Sequence, residues 1–305
     1  MLEPDGDMIE LRQRVFAERE KRIRPFRDEK ILVGWNGLMI AALAMGARIL
    51  GDDKLLTRAI EAVDFIIKRC RDEKGRLYGS YIDGELSGSG YAHDYSYLIW
   101  GLIELYETCY DAQYLEYALE LTDDMLKIFY DREDGGWFFY GADDEQLVHR
   151  PKDIYDGALP SSNSIATYNL LRLASFTGNR ELYNIGIEQF ETFGTIIRDN
   201  PDSYTAFLIS FMFEVFPSSE IVLVGRRDDY ALRQMIERMS EDFIPGAVSL
   251  VVFEGEDNRK LVEMSPFLRE YRTVDEESAA YICSQHTCKP PITDMESFTE
   301  EIQNL

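Results

Sequence analysis

Four stretches of the chain share one pattern, a short polar and aromatic motif that opens a helix-length segment apolar on nearly every face. The motifs are Gly34-Trp35-Asn36-Gly37 before residues 38–50, Tyr91-Ala92-His93-Asp94-Tyr95 before 98–106, Leu159-Pro160-Ser161-Ser162-Asn163 before 165–176, and Asp202-Ser203-Tyr204 before 206–215. A helix without a polar face is predicted to be buried, whereas the motif at its start can stay open to solvent. Between these segments lie helices of a different kind. Residues 54–68 place Leu55, Leu56, Ile60, Val63 and Ile67 on one side and Arg58, Glu61, Asp64 and Lys68 on the other, the 3.6-residue period of a surface helix. Residues 114–129 and 180–197 repeat that period.

Alternation of buried and amphipathic helices predicts antiparallel pairs side by side, apolar members inside and amphipathic members outside. The inner helices then run the same way, and their N-terminal motifs meet at one mouth. The loops at 72–92 and 131–160 open onto that mouth, and each is long enough for a β-hairpin. They carry Tyr78, Tyr81, Tyr91, Trp137, Phe139 and Tyr155. The helical alternation fills residues 1–216. From 217 to 305 the pattern becomes strand at 220–225, helix near 230–239, strand at 248–253, strand at 279–283 and a last helix at 294–303 begun by Thr293. That order predicts a small C-terminal α/β unit with a parallel strand pair.

The chain has 305 residues, 45% of them hydrophobic, enough for one large core or two modest ones. With 32 Lys and Arg against 56 Asp and Glu the formal charge is −24, which repels nucleic acid and anionic lipid. The basic stretch 12–30 is interleaved with Glu18, Glu20, Asp28 and Glu29 and reads as a solvated helix. No apolar run reaches the ~18 uncharged residues of a membrane span, and residues 1–10 are acidic rather than signal-like, so a soluble, cytoplasmic protein is expected.

Of the four cysteines, Cys70 and Cys109 occupy helical apolar positions. Cys283-x4-Cys288 with His286 between them leaves a zinc ion one ligand short. The pair reads as two structural thiols, ahead of a redox-sensitive pair. Gly225 stands alone after its strand, without G-x-G-x-x-G or G-K-[ST], so no metal and no cofactor are expected.

His93-Asp94 is the strongest acid-base candidate, since a histidine side chain can gain or lose a proton near neutral pH and Asp94 can polarise it or accept a proton. Asp94 is equally well read as the N-cap of the helix it begins. Asp156, in an Asp-Gly turn of the second loop, is the second carboxylate. Two carboxylates at one mouth suit glycoside chemistry. Trp35, Trp137, Tyr91, Tyr97 and Tyr155 offer flat faces on which a sugar ring can stack, and Asn36 and Asn163 offer amides. Ser161 and Ser162 lack a nucleophile elbow and read as helix caps, Ser161 close enough to the mouth to reach a ligand.

Taken together, Arg24-Pro25-x-x-Asp28-Glu29-Lys30 leading into Trp35-Asn36-Gly37-Leu38, Gly90-Tyr91-x-x-Asp94-Tyr95, Tyr155-Asp156-Gly157-Ala158-x-Pro160-Ser161-x-Asn163-Ser164, and Ala280-Tyr281-x-Cys283 followed by Cys288 and Pro290 resemble the spermatogenesis-associated protein 20 family of thioredoxin-domain-containing proteins. The resemblance implies a mainly α fold, a partial (α/α)6 toroid of the six-hairpin glycosidase type, similar to N-acylglucosamine 2-epimerases. The family's thioredoxin-like domain and its C-x-x-C have no counterpart here, so no thioredoxin-type activity is transferred. His93 stands where relatives more often carry an acid, and three scattered histidines argue against the paired-histidine chemistry of epimerases.

Roughly seven helices belong to the array, fewer than a closed six-hairpin ring needs. The open flanks predict a homo-oligomer or pairing with a separate N-terminal portion. The expectation is a carbohydrate-active module that binds a carbohydrate-like small molecule at the rim, with glycoside hydrolysis or sugar isomerisation as its chemistry and Asp94, Asp156 and His93 as its catalytic groups. The alternative is a non-catalytic scaffold that assembles with a partner chain.

Overall fold

The computed structural model describes the whole chain except residues 1–5, 146–147, 217–218, 242–243, 245 and 285–286. Residues 1–30 and 31–305 form two separate units. In the first, α1 (Gly6–Glu20) buries no side chain. It ends ten residues short of residue 30, where the charge pattern placed the end of the solvated helix, and 23–30 is without regular structure. Pro25 supplies the reason, because its ring disfavours the helical conformation in the residue before it.

The second unit begins with β1 (Ile31–Leu32) and the helices α2 (Val33–Leu50) and α3 (Asp53–Arg69). A hairpin, β2 (Tyr78–Ile82) and β3 (Glu85–Ser89), pairs antiparallel with β1 through Leu32 and Ser80. Then follow α4 (Ala92–Cys109), α5 (Ala112–Ile128), α6 (Ser162–Thr177), α7 (Arg180–Asp199) and α8 (Thr205–Val215). Inner helices α2, α4, α6 and α8 lie side by side in that order, and α3, α5 and α7 pack outside as antiparallel partners. The result is a partial α/α toroid, an arc of three hairpins closed by one further inner helix. The first pair of inner helices approach closely at glycines. A methyl group on Gly37 would lie 2.6 Å from the Leu98 nitrogen, and one on Gly101 would lie 2.7 Å from the Gly37 carbonyl oxygen. Side chains at these positions would push α2 and α4 apart.

All four inner helices were predicted to be buried throughout, and two are. Helices α4 and α6 are enclosed on nearly every side. By contrast α2 buries the face of Gly37, Ile40, Ala41 and Ala44 and exposes Trp35, Met39, Ile49 and Leu50. Helix α8 buries Phe207, Ser210 and Phe213 and exposes Ile209, Phe211, Met212, Val215 and Phe216. These two helices end the arc, so each lacks a neighbour on one side. Helix α2 is also long and apolar enough to cross a membrane by length and composition, and in this fold it packs against α4.

The loop at 72–92 forms the expected hairpin, whereas among its described residues the loop at 131–160 contains no strand, only a bridge between Tyr130 and Trp137. Its backbone finds partners elsewhere. Trp137 bonds to the Asn163 amide, Phe139 N–H to Pro151 O, and the Lys152 ammonium to Asp131 at 2.7 Å. These bonds take up groups that would otherwise be free to pair with a second strand.

Beyond α8 the chain forms β4 (Ser219–Gly225), α9 (Tyr230–Glu241), β5 (Ala247–Phe253), α10 (Arg259–Met264), β6 (Ala279–Ser284), β7 (Thr287–Cys288) and α11 (Met295–Gln303). The sheet order is β5-β4-β6-β7, with β4 and β5 parallel and the other neighbours antiparallel. The last helix is capped by Asp294 rather than Thr293, its carboxylate accepting the Ser297 N–H at 2.8 Å. The α/β part shares one hydrophobic core with the helices, as Val222, Leu250 and Phe298 join the cluster of Ile103, Tyr106 and Phe176. Cys283 and Cys288 face each other across β6 and β7 and form a disulfide, where two free thiols were expected. The antiparallel register brings the two sulfurs together. His286 lies outside the described residues.

Candidate functional site

The N-terminal ends of the inner helices meet at one rim, and two aspartates tie them together in pairs. Asp94 Oδ1 accepts the Gly34 N–H at 2.9 Å and its Oδ2 accepts the Tyr91 N–H at 2.8 Å, joining the first turns of α2 and α4. Asp156 does the same for the next pair. Its Oδ1 accepts the Ser161 N–H ahead of α6 at 2.8 Å, and its Oδ2 accepts the Ala206 and Phe207 N–H groups of α8 at 2.8 and 3.1 Å. Each carboxylate therefore satisfies helix donors that have no partner inside their own helix. Burial raises the Asp94 pKa, and the nearby His93 charge and the two backbone N–H groups only partly offset that shift.

Two long loops close over this rim and lock to each other. Arg76 of the first loop pairs with Asp143 of the second at 2.9 Å, and Ala92 N–H donates to Phe139 O at 3.0 Å. Phe139 thereby comes within 5.0 Å of the Tyr91 ring and 5.5 Å of the His93 ring, centroid to centroid. Tyr97 packs on the other side of His93 at 5.8 Å. His93 Nε2 stands 3.6 Å from Asp94 Oδ1. The Tyr97 hydroxyl donates to Pro160 O, and burial raises its pKa together with the charges of Asp153, Asp156 and Asp94.

Asp153 was absent from the residues singled out in the sequence. Its carboxyl is shifted upward, chiefly by burial and also by the charge of Asp156, against the Tyr155 N–H and His93, which pull it down. Unlike Asp94 and Asp156, it bridges no pair of helices. Nothing in the local sequence marks it, because a lone Asp two positions before a loop tyrosine carries no spacing signal. Phe139 was legible only as one aromatic among several.

The remaining sequence-predicted residues divide into two groups. Tyr91 is partly exposed and Tyr155 is 62% exposed, both at the rim. Trp35 is 60% exposed but shares the outward stripe of α2 with Met39, one turn on. The others support the rim from behind. Asn36 donates to Leu32 O at 2.8 Å. Asn163 is wholly buried, its Oδ1 accepting the Trp137 N–H and its Nδ2 donating to Trp137 O and Asp153 O. Ser161 caps α6 by accepting the Ser164 N–H at 3.1 Å, and Trp137 is buried against Tyr130. Trp137, Ser161 and Asn163, expected to touch ligand, instead shape the loop that carries Asp153. Among the described residues no group of three or more His, Cys, Asp or Glu side chains is arranged to hold a metal.

The human spermatogenesis-associated protein 20 is 31% identical to this chain over 292 residues, 92% of the chain and 37% of the relative. The chain is similar to spermatogenesis-associated protein 20 over nearly its whole length. It spans less than two-fifths of the length of the curated relatives it matches. No protein-family profile matches it. Among solved structures, a GH76 α-mannanase of Bacteroides thetaiotaomicron has a TM-score of 0.49 at 13% identity, covering 87% of this chain and 81% of that one. The cellobiose 2-epimerase of Bacillus thermoamylovorans has a TM-score of 0.46 at 12% identity, with 87% and 68% covered.

Proposed function

We propose that the rim is a carbohydrate site in which His93 and Asp153 are the proton-transfer groups and Asp94 and Asp156 are positioning residues. The observation that carries this reading is the placement of His93. Its ring is packed among Tyr91, Tyr97 and Phe139 and is only part-buried, with one carboxylate behind it and a second, Asp153, close enough for their charges to interact. Stacked aromatic faces suit the C–H face of a sugar ring, and a histidine beside a carboxyl of raised pKa suits transfer of a proton to or from a sugar oxygen or carbon. Asp94 and Asp156 each hold backbone N–H groups with both oxygens, so they set the geometry and leave the proton chemistry to their neighbours.

The corresponding experiment screens mono- and disaccharides and aryl glycosides for binding and turnover with the parent protein, His93→Asn and Asp153→Asn. Loss of turnover by at least about a hundredfold in both variants, at unchanged thermal stability, supports the assignment. A parent that neither binds nor converts any member of the panel contradicts it.

A second reading, a scaffold that assembles with a partner, is favoured by a different observation. The exposed apolar stripes of α2 and α8 lie at the two ends of the arc, where a further helix pair would cover them. The two readings are compatible, since a covered flank would leave the rim open.

A further inference from the structure

The inner helices line an open cavity of about 610 Å3 that runs along the arc from Pro160 and Ala206 of the rim to Arg48 and Ile49 near the end of α2. It is walled by α2, α4, α6 and α8 and closed by β5 and α9 of the α/β part. Its volume falls within the roughly 300–1,000 Å3 of small-molecule pockets. Most of the wall is apolar, including Met45, Trp100, Ile165 and Met212. Set into it are four ionised side chains from three helices, Arg48, Glu104, Glu107 and Arg172.

Buried ions of this kind are a poor way to stabilise a core, since well-packed apolar residues of similar size serve as well or better. Both glutamates are well supplied with donors. Glu104 accepts from Arg172 at 2.6 Å, from Arg48 at 3.0 Å and from the Trp100 indole N–H at 3.2 Å. Glu107 accepts from Arg172 and from the Ser249 N–H at 3.0 Å. Arg172 spends its fork on these two carboxylates and lies over the Tyr168 ring. Arg48 differs. Among the described residues it donates a hydrogen bond to Glu104, and Glu107 stands 3.9 Å away. A guanidinium has five N–H donors, and the Arg48 side chain is 24% exposed against 3% for Arg172. Glu241 also borders the cavity, but its carboxylate is exposed and pairs with Arg238 at 3.6 Å. Among the described residues Arg48 is therefore the half-buried wall group with donors to spare.

We propose that this cavity binds a small organic acid, its carboxylate docked on Arg48 and its apolar body lying against Trp100, Met45 and Met212. A carboxylate matches the planar fork, and it would dock on the Arg48 donors that Glu104 leaves free.

Isothermal titration of the full chain with decanoate, decanol and decylamine tests the assignment. Decanoate should bind saturably, at least about tenfold tighter than decylamine, and Arg48→Met should weaken decanoate by about tenfold or more while leaving decanol within a factor of about three. Met45→Trp, which narrows the cavity and leaves the ion cluster intact, should weaken both decanoate and decanol. Should Arg48→Met fail to fold, Met45→Trp decides alone. The proposal is overturned by absence of saturable decanoate binding, by amine binding as tight as that of the acid, or by decanoate binding that Met45→Trp leaves unchanged.

Discussion

Asp94 accepts the backbone N–H of Gly34, sixty residues earlier in the chain, at 2.9 Å. A methyl group on Gly34 would lie 2.8 Å from that same carboxylate oxygen, so the glycine is what lets the carboxylate reach the first turn of α2. Asp94→Asn keeps the shape but replaces one acceptor by an NH2 group facing a backbone N–H. It should cost about 1–3 kcal/mol in urea unfolding, the penalty for a buried donor left without a partner. An unchanged midpoint would mean that the bridge contributes nothing.

Acid titration gives a second test of the same carboxylate. Burial holds the folded Asp94 pKa above its ordinary value of 3.8, so between the two values the folded chain binds more protons than the unfolded one. The stability contributed by this group is fully present below the unfolded pKa and is lost as pH rises through the folded one. Relative to Asp94→Asn, the parent should lose unfolding free energy as pH is raised from about 3.8 through the mildly acidic range. Parallel stability curves for the two proteins would show that burial does not dominate at this site.

Arg172 is enclosed and paired with both Glu104 and Glu107. Arg172→Met leaves two buried carboxylates short of their main partner and should cost about 3–5 kcal/mol. Arg172→Met combined with Glu104→Leu should recover part of that loss, because the second change removes one orphaned charge. A double-mutant cycle by chemical denaturation measures the coupling, and additive single and double effects would contradict it.

The stripes on α2 and α8 predict association. Light scattering on the isolated chain should report a species larger than one chain, and Met39→Glu with Val215→Glu should shift it towards the monomer. A monodisperse parent monomer would remove the case for a covered flank.

The alternation of apolar and amphipathic segments carried the helical array almost completely, because burial on all sides and burial on one side leave different periodicities. It could not show that α2 and α8 stand at the ends of the arc, since exposure there depends on which neighbours are present and not on Trp35 or Phe211 themselves. The hairpin at 72–92 was legible from the length of its loop. The loop at 131–160 was not, because Asn163, beyond the loop itself, supplies the bonds that fix Trp137. At the rim the sequence located His93, Asp94 and Asp156 correctly as neighbours of the inner helix starts. Their division of labour depends on which oxygens meet backbone N–H groups, a matter of three-dimensional placement. Asp153 escaped notice for the same reason. Cys283 and Cys288 have spacing that suits thiols, a disulfide or a metal equally, and only the β6–β7 register decides among them.

The most direct measurement of the central claim is a comparison of ligand turnover and binding in parent, Asp153→Asn and Asp156→Asn across the sugar panel. The account predicts that Asp153→Asn keeps the parental unfolding midpoint and binds sugar but loses turnover, while Asp156→Asn lowers the midpoint through the loss of its contacts at the start of α8. Full turnover in Asp153→Asn, or a panel on which the parent itself neither binds nor reacts, would contradict it.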